Sequence, residues 1–101
     1  MAKLTSIIIP TYNQLEYTRW CLDSIRYYTG EPYELIVVDN GSTDGTVEYL
    51  WSQEDIRFIH NRENKGFAGG CNQGISHSAG DYVLLLNNDT VVASGWLGNM
   101  I

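Results

Sequence analysis

The chain has 101 residues, of which 44% are hydrophobic and 12% aromatic, and it carries a formal net charge of -6. This length allows one small domain, and no apolar run approaches the roughly 18 residues that a membrane-spanning helix needs. The six basic residues form no cluster, so the composition excludes a nucleic-acid-binding surface as well as a membrane span.

The first predicted element is a strand over Thr5–Ile9, because a β-branched and apolar run favours a strand that is buried on both faces. Pro10 is expected to end this strand. A helix follows, in which Asn13 and Glu16 have the spacing of an N-cap and its partner, and apolar residues then recur at helical spacing up to Tyr28.

A second buried strand is predicted over Tyr33–Val38, followed by the polar segment DNGSTDG. The pair Asn40-Gly41 is typical of a two-residue hairpin turn, which requires a strand on each side. The next apolar positions, however, recur with a period near 3.6, at Val47, Leu50 and Trp51. We therefore predict a short helix after the segment, with Asp39 at the ligand-facing end of a buried strand.

The remaining elements are a strand over Ile56–His60, a helix over Phe67–Ser78 and a fourth buried strand over Tyr82–Leu86. This β-α-β-α-β-α-β order predicts an α/β fold, with a mainly parallel sheet of about four strands flanked by helices. Ligands of such folds lie beyond the carboxyl ends of the strands, so functional residues are expected in the loops that follow them.

Polar clusters occupy all four of these places, as PTYN, DNGSTDG, NRENKG and NNDT. Neither a Walker sequence nor GxGxxG is present, which disfavours a nucleoside triphosphatase or a dinucleotide-dependent oxidoreductase. Gly69 and Gly70, near the start of the third helix, have two interpretations that the sequence leaves open. They allow either close approach of the backbone to a ligand or close packing of the helix on the sheet.

Cys21 and Cys71 lie in separate segments without a CxxC spacing, so we predict buried, reduced thiols. His60 and His77 are predicted to be structural or surface residues, since neither has further metal ligands at a recognised spacing. Residues Met1–Leu4 lead into the first strand without an apolar signal region, which argues against secretion. We expect a cytoplasmic location, with a peripheral position on the inner face of the membrane also open.

Four segments in this order, SIIIPTYNQ, ELIVVDNGSTDGT, NKGFAGGCNQGI and GDYVLLLNNDT, resemble the family 2 glycosyltransferases of the GT-A fold. The resemblance covers nearly the whole chain and is closest to a bacterial rhamnosyltransferase-like branch. It implies a Rossmann-like nucleotide-binding half that serves polysaccharide biosynthesis. The implied reaction transfers a sugar from a UDP- or dTDP-sugar to a glycan, lipid-linked or protein hydroxyl, with Mg²⁺ or Mn²⁺.

The resemblance also implies roles for individual residues. Those implied in nucleotide binding are Pro10, Thr11, Tyr12, Asp39, Lys65, Asn72 and Asn88. Asp39 would accept hydrogen bonds from the base, Lys65 would approach the diphosphate, and Asp89 would bind the metal. Asn87 stands where the commoner pattern has an acid and would be a weaker second ligand. Two alternatives stay open: Asp39 as a cap on the following helix, and Asp89 as a turn or helix-start residue.

The resemblance implies that residues 1–101 are the nucleotide-sugar-binding domain of a longer transferase. Family members continue past this segment with the acceptor site and the catalytic base, so no catalytic residue is assigned here. We expect the isolated chain to be inactive. The alternative is a non-catalytic nucleotide-binding or interaction module.

Overall fold

A computed structural model of the chain describes residues 3–100, which form four parallel strands and four helices. The strands lie in the order β3-β2-β1-β4. The elements are β1 (Thr5–Thr11), α1 (Leu15–Tyr28), β2 (Tyr33–Asp39), α2 (Thr46–Trp51), β3 (Ile56–His60), α3 (Gly66–Ser76), β4 (Tyr82–Leu85) and α4 (Trp96–Met100). The predicted α/β fold with a parallel sheet is confirmed.

Successive side chains of β1 point to opposite faces of the sheet, as the two-residue period of a strand requires. Ile7 and Ile9 belong to the larger core, which α1 and α2 complete with side chains such as Leu22 and Leu50. Ile8 faces the other way and packs close to α3, where a Cβ added to Gly74 would collide with it. The sheet therefore has α1 and α2 on one face and α3 on the other.

The prediction that Pro10 ends β1 is wrong, because the strand continues to Thr11, which pairs with Asp39. Leu86 donates its N–H to the carbonyl of Ile8, so the backbone groups of Ile8 point toward β4. Because this direction alternates from residue to residue along a strand, the backbone groups of Pro10 also point toward β4. Strand β4 ends at Leu85. The N–H that proline lacks is thus not needed at this position.

The expectation that β4 is buried on both faces is also wrong. Its apolar side chains are half-exposed, at 42% for Tyr82, 44% for Val83 and 42% for Leu85. The physical reason is position, because β4 is an edge strand beside β1 alone, and α3 packs over β1 and β2.

The predicted helix start at Asn13 is replaced by a different arrangement. Asn13 and Gln14 have positive φ angles of 54° and 62°, and α1 begins at Leu15 without a side-chain cap from its own N-cap residue. The N–H of Leu15 instead donates to Oδ2 of Asp44 at 3.1 Å. A carboxylate from another loop therefore satisfies the first turn of α1.

The cysteines and histidines have the burial and exposure that the sequence predicts. Cys21 and Cys71 are buried and unpaired, and His60 and His77 are exposed. Burial, helped by the charge of Asp89, raises the pKa of Cys21 to about 12. No helix within residues 3–100 is long and apolar enough to cross a bilayer.

The close packing of α3 on β1 can be tested with Gly74→Ala. The added methyl group would overlap Ile8, so we expect the free energy of unfolding to fall by about 1–3 kcal/mol. Gly30→Ala is the control, because a Cβ there meets no atom within 4 Å, and we expect a change below about 1 kcal/mol. Urea titrations followed by circular dichroism would measure both. Equal midpoints for the two variants would contradict the close approach of α3.

Candidate functional site

The candidate site lies where the chain order of the sheet reverses. The chain passes from β1 to β2 and β3 on one side and then returns to place β4 on the other side of β1. The carboxyl ends of β1 and β4 therefore diverge into different connections and leave a crevice, which is the usual ligand position in open α/β sheets.

A cleft of about 220 Å³ occupies this crevice, and we call it the uncharged cleft. Its lining consists of amides, two aromatic rings and small residues, and no described residue of the lining is ionisable at neutral pH. The lining residues are Pro10, Thr11, Tyr12, Asn40, Asn64, Gly66, Phe67, Asn87 and Asn88. Such a cleft suits a flat, polar, uncharged ligand group better than an anion.

A second cleft, of about 500 Å³, is lined by Gln14, Tyr17, Asn88 and Asp89, and we call it the Asp89 cleft. Asn88 belongs to both clefts and is held in place, since its Nδ2 donates to Oγ1 of the buried Thr18 at 3.1 Å. The two clefts are thus neighbours that share one fixed wall.

Asp89 lies in a turn in which Thr90 N–H donates to the carbonyl of Asn87 at 3.2 Å. Its carboxylate is exposed and makes no hydrogen bond to any residue in the range 3–100. The turn position matches one alternative for Asp89. The helix-start alternative is not supported, because the next helix begins at Trp96.

Asp39 has a different environment, because it is fully buried at 0% exposure. Its Oδ1 accepts hydrogen bonds from the hydroxyls of Thr11, at 3.0 Å, and Ser42. Its Oδ2 accepts from the N–H groups of Gly41, at 3.1 Å, and Ser42, at 2.9 Å. All four lone-pair sites of the carboxylate are therefore used within the chain.

These contacts argue against the alternative in which Asp39 caps the following helix. Asp39 holds the loop at Gly41 and Ser42, whereas the start of α2 is served by Asp44. Oδ1 of Asp44 accepts from the Thr46 N–H at 3.1 Å and from the Thr46 hydroxyl at 2.6 Å. Burial alone would raise the pKa of Asp44, but the hydrogen bonds from Thr46 and from the Leu15 N–H outweigh it and lower that pKa.

The loops that follow β1 and β2 are joined by reciprocal hydrogen bonds. The N–H of Asn13 donates to Oγ of Ser42 at 2.6 Å, and the N–H of Thr43 donates to Oδ1 of Asn13 at 2.8 Å. These contacts explain why Asn13 is stable at a positive φ angle, a region that asparagine tolerates better than most residues.

The buried amide of Asn40 holds the loop that leads into α3. Its Nδ2 donates to the carbonyl of Gly66 at 3.2 Å, and its Oδ1 accepts from Asn61 Nδ2 at 3.1 Å and from Lys65 N–H at 3.4 Å. Asn61 in turn exchanges two hydrogen bonds with the amide of Gln73. One wall of the uncharged cleft is therefore attached to the end of β2.

The structure also separates the two interpretations of the glycines. A Cβ on Gly70 would lie 3.2 Å from Cβ of Pro10 and 3.3 Å from Nδ2 of Asn40. Gly70 thus allows α3 to pack against the end of β1, as the packing interpretation expected. A Cβ added to Gly69 would meet only Cβ of Lys65, in the preceding turn.

The residues named from the sequence have four different locations. Pro10, Thr11, Tyr12, Asn87 and Asn88 line the uncharged cleft, and Asn88 and Asp89 line the Asp89 cleft. Asp39 is buried below, and Lys65 and Asn72 are exposed on the α3 side without lining either cleft.

Sequence reasoning missed four lining residues, namely Asn40, Asn64, Gly66 and Phe67. The first three stand in polar clusters at predicted strand ends, so their position was a usable signal. Phe67 gave none, because an apolar residue in the first turn of a helix is ordinarily counted as core.

The described residues hold no cluster of three or more His, Cys, Asp or Glu side chains with the geometry of a metal site. The residues present do fit a hard cation that is held mainly by phosphate oxygens and waters, with few protein ligands. Asp89 offers an exposed carboxylate without a protein partner in the range 3–100, and the amide oxygen of Asn87 is two residues away. Mg²⁺ commonly uses only one or two protein carboxylates together with phosphate oxygens and waters.

Comparison with known proteins gives one family and several close folds. The sequence profile of "Glycosyl transferase family 2" matches residues 6–101. Glycosyltransferase GlyG of Streptococcus pneumoniae serotype 4 is 32% identical over 96 residues, which are 91% of this chain and 32% of GlyG.

Among solved structures, the mannosyltransferase PcManGT from Pyrobaculum calidifontis, in complex with GDP-Man and Mn²⁺, has a TM-score of 0.84 at 28% identity. The match covers 98% of this chain and 31% of that one. S. aureus TarS 1–349, in complex with UDP-GlcNAc, has a TM-score of 0.80 at 27% identity, covering 95% of this chain and 29% of that one. The chain spans about a third of the length of these relatives.

The role of the Asp39 carboxylate in the fold can be tested with Asp39→Ala. The substitution leaves the Thr11 hydroxyl and the N–H groups of Gly41 and Ser42 without their acceptor. Unpaired buried donors are costly, so we expect the free energy of unfolding to fall by at least about 2 kcal/mol. Asp23→Ala is the control, because it removes only an exposed ion pair with Arg26, worth less than about 1 kcal/mol. Chemical denaturation would show whether Asp39→Ala is instead as stable as the control.

Proposed function

Because this chain belongs to glycosyl transferase family 2, we propose that it binds a nucleoside diphosphate sugar, a UDP- or dTDP-sugar, for transfer of the sugar to an acceptor hydroxyl. One observation carries the proposal: an uncharged cleft and an exposed carboxylate lie side by side at the reversal point of the sheet. A donor of this kind has an uncharged base at one end and a charged diphosphate further along.

The base would occupy the uncharged cleft. Tyr12 offers a half-exposed ring there, and Asn64, Asn87 and Asn88 offer amide donors and acceptors for the edge of a base. Pro10 and Thr11 complete the wall at the end of β1.

The diphosphate would lie toward the Asp89 cleft, together with a divalent cation, Mg²⁺ or Mn²⁺. Without the cation, each pair of unit negative charges at about 4 Å would cost on the order of 4 kcal/mol at an effective dielectric constant near 20. Asp89 would hold the cation, and Asn87 would be a weaker second ligand. When bound, the cation stabilises negative charge that develops on the departing diphosphate.

Asp39 is proposed to recognise the base, but a direct contact requires a change in its hydrogen bonds. The Ser42 hydroxyl is the donor that can rotate away from Oδ1, because the two N–H donors belong to the loop backbone. Until then Asp39 acts on the uncharged cleft through Thr11, which donates to Oδ1 and lines that cleft.

Two further roles stay predictions, namely Lys65 near the diphosphate and Asn72 near the nucleotide. Both side chains are exposed, Asn72 on α3 and Lys65 at the residue that precedes the helix. The membership of the rhamnosyltransferase-like branch also stays a prediction, and it depends on the Asn87-Asn88-Asp89 sequence.

We propose further that residues 1–101 are the nucleotide-sugar-binding domain of a longer transferase. The proposal is supported by the share of the relatives that the chain spans, 32% of GlyG and 31% of the mannosyltransferase. The acceptor site and the catalytic base would then belong to other parts of that protein. The 101-residue chain alone is expected to bind the donor without transferring sugar.

Metal dependence tests the proposed donor site. We expect UDP to bind wild-type protein at least tenfold more tightly in Mn²⁺ than in EDTA, on the order of 1.4 kcal/mol. Asp89→Asn should remove most of this difference, because it removes the exposed carboxylate. Glu54→Gln changes the charge equally at another exposed position and should leave the difference intact. Titration calorimetry would measure all three proteins.

Two results would contradict the proposal. Equal affinity for UDP with and without Mn²⁺ would exclude the metal role of Asp89. Failure to bind UDP, dTDP and GDP under any of these conditions would exclude the nucleotide-sugar function itself. Competition among the three nucleotides would decide the preferred base, since the two similar structures hold different nucleotide sugars, GDP-Man in one and UDP-GlcNAc in the other.

A further inference from the structure

Phe67 places a second aromatic ring in the lining of the uncharged cleft. It is 49% exposed, close to the 50% of Tyr12, and both residues line that cleft. Among residues 3–100, neither ring stacks on or meets the edge of another aromatic ring. Single exposed apolar side chains are common on protein surfaces, so the position and support of Phe67 have to carry the inference.

The backbone that carries Phe67 is held from inside the protein. The preceding residue, Gly66, has a φ of +76° and its carbonyl accepts the Nδ2 hydrogen bond of Asn40. Its N–H donates to Oδ1 of Asn64 at 2.7 Å. Asn40 is 3% exposed and is itself held by Asn61. The backbone that carries the ring is thus held in place, and a preorganised turn loses less freedom when a ligand binds.

The rest of the lining matches a ring-shaped ligand. Asparagine amides supply both donors and acceptors, and the lining residues carry no formal charge. Every nucleobase presents a flat π-face, and stacking of a base on an aromatic side chain is largely independent of base identity. Phosphate groups find no cationic partner in this cleft.

We propose that Phe67 is a base-contacting residue and that the rings of Phe67 and Tyr12 stack on the nucleobase of the donor; this rests on the proposed function. Phe67 then contributes affinity for the nucleoside and none for the phosphates. Because stacking tolerates different bases, the choice among bases falls to the amides and to Asp39.

Substitution of Phe67 tests the contact, with uridine and inorganic pyrophosphate as separate probes for the nucleoside part and the phosphate part of the donor. UDP and uridine should each bind Phe67→Ala at least about fivefold more weakly than wild type, by a similar factor, whereas inorganic pyrophosphate in diamagnetic Mg²⁺ should bind unchanged. Phe67→Tyr keeps an aromatic face and should retain most of the affinity. Ile75→Ala is the matched control, because Ile75 is 42% exposed on the same helix and lines neither cleft. Chemical-shift titrations measure all of these affinities.

A second measurement uses wild-type protein only and so does not depend on how the variant folds. The chain has two phenylalanines, and Phe58 packs edge-on against Trp51 with ring centroids 4.8 Å apart. With ring-labelled phenylalanine, nuclear Overhauser effects should connect the base protons of UDP to Phe67 and not to Phe58.

The possible outcomes separate the inference from the function on which it rests. If UDP binds wild type and Phe67→Ala equally, or if no Overhauser effect reaches Phe67, the base contact is wrong while nucleotide binding stands. If Phe67→Ala weakens pyrophosphate as much as uridine, the ring has only a general structural role and the inference is also wrong. If wild type binds none of UDP, dTDP and GDP, the proposed function fails and the inference fails with it.

Discussion

The buried carboxylate of Asp39 is the constraint on which the carboxyl edge of the sheet depends. A carboxylate removed from water is stable only when hydrogen-bond donors surround it, and here four donors do so. The Thr11 donor lies in β1 beyond Pro10, and the Gly41 and Ser42 donors require the following loop to fold back over the strand end. Oγ of Ser42 also accepts a hydrogen bond from the N–H of Asn13. The shape of both loops that border the candidate site follows from one charged side chain.

The two clefts differ in the way that the proposed donor would require. A base needs a flat, polar and uncharged surface, whereas a diphosphate needs a cation in a chain whose own net charge is -6. The Asp89 cleft, with its exposed carboxylate, and the uncharged cleft, with no ionisable group at neutral pH among its described lining residues, meet at Asn88. The Asn88 side chain is fixed to α1 through Thr18, so the distance between the two regions is set by the core and not by a mobile loop.

The sequence predicted the parts of this arrangement that depend on local pattern. The order of apolar runs was enough for the parallel sheet, and the parallel sheet was enough to locate Pro10 to Tyr12 and Asn87 to Asp89 at one edge. Contacts between distant segments decided the rest. The start of α1 depends on Asp44, 29 residues away, and the exposure of β4 depends on which strands α3 covers. Phe67 lines the cleft because glycines let α3 lie close to β1, and the sequence left open whether such glycines serve packing or a ligand.

The reciprocal hydrogen bonds between the first two loops also limit how such a protein can vary. Asn13 is hydrogen-bonded to Ser42 and Thr43, and the N–H of Leu15 donates to Asp44, each across about 30 positions of the chain. Neither loop therefore holds its conformation by itself. A loop grafted from a relative would arrive without its partner and leave buried or half-buried polar groups unmatched. The two loops should therefore be inherited and exchanged as a pair, and a substitution that alters one of them would need a matching change in the other.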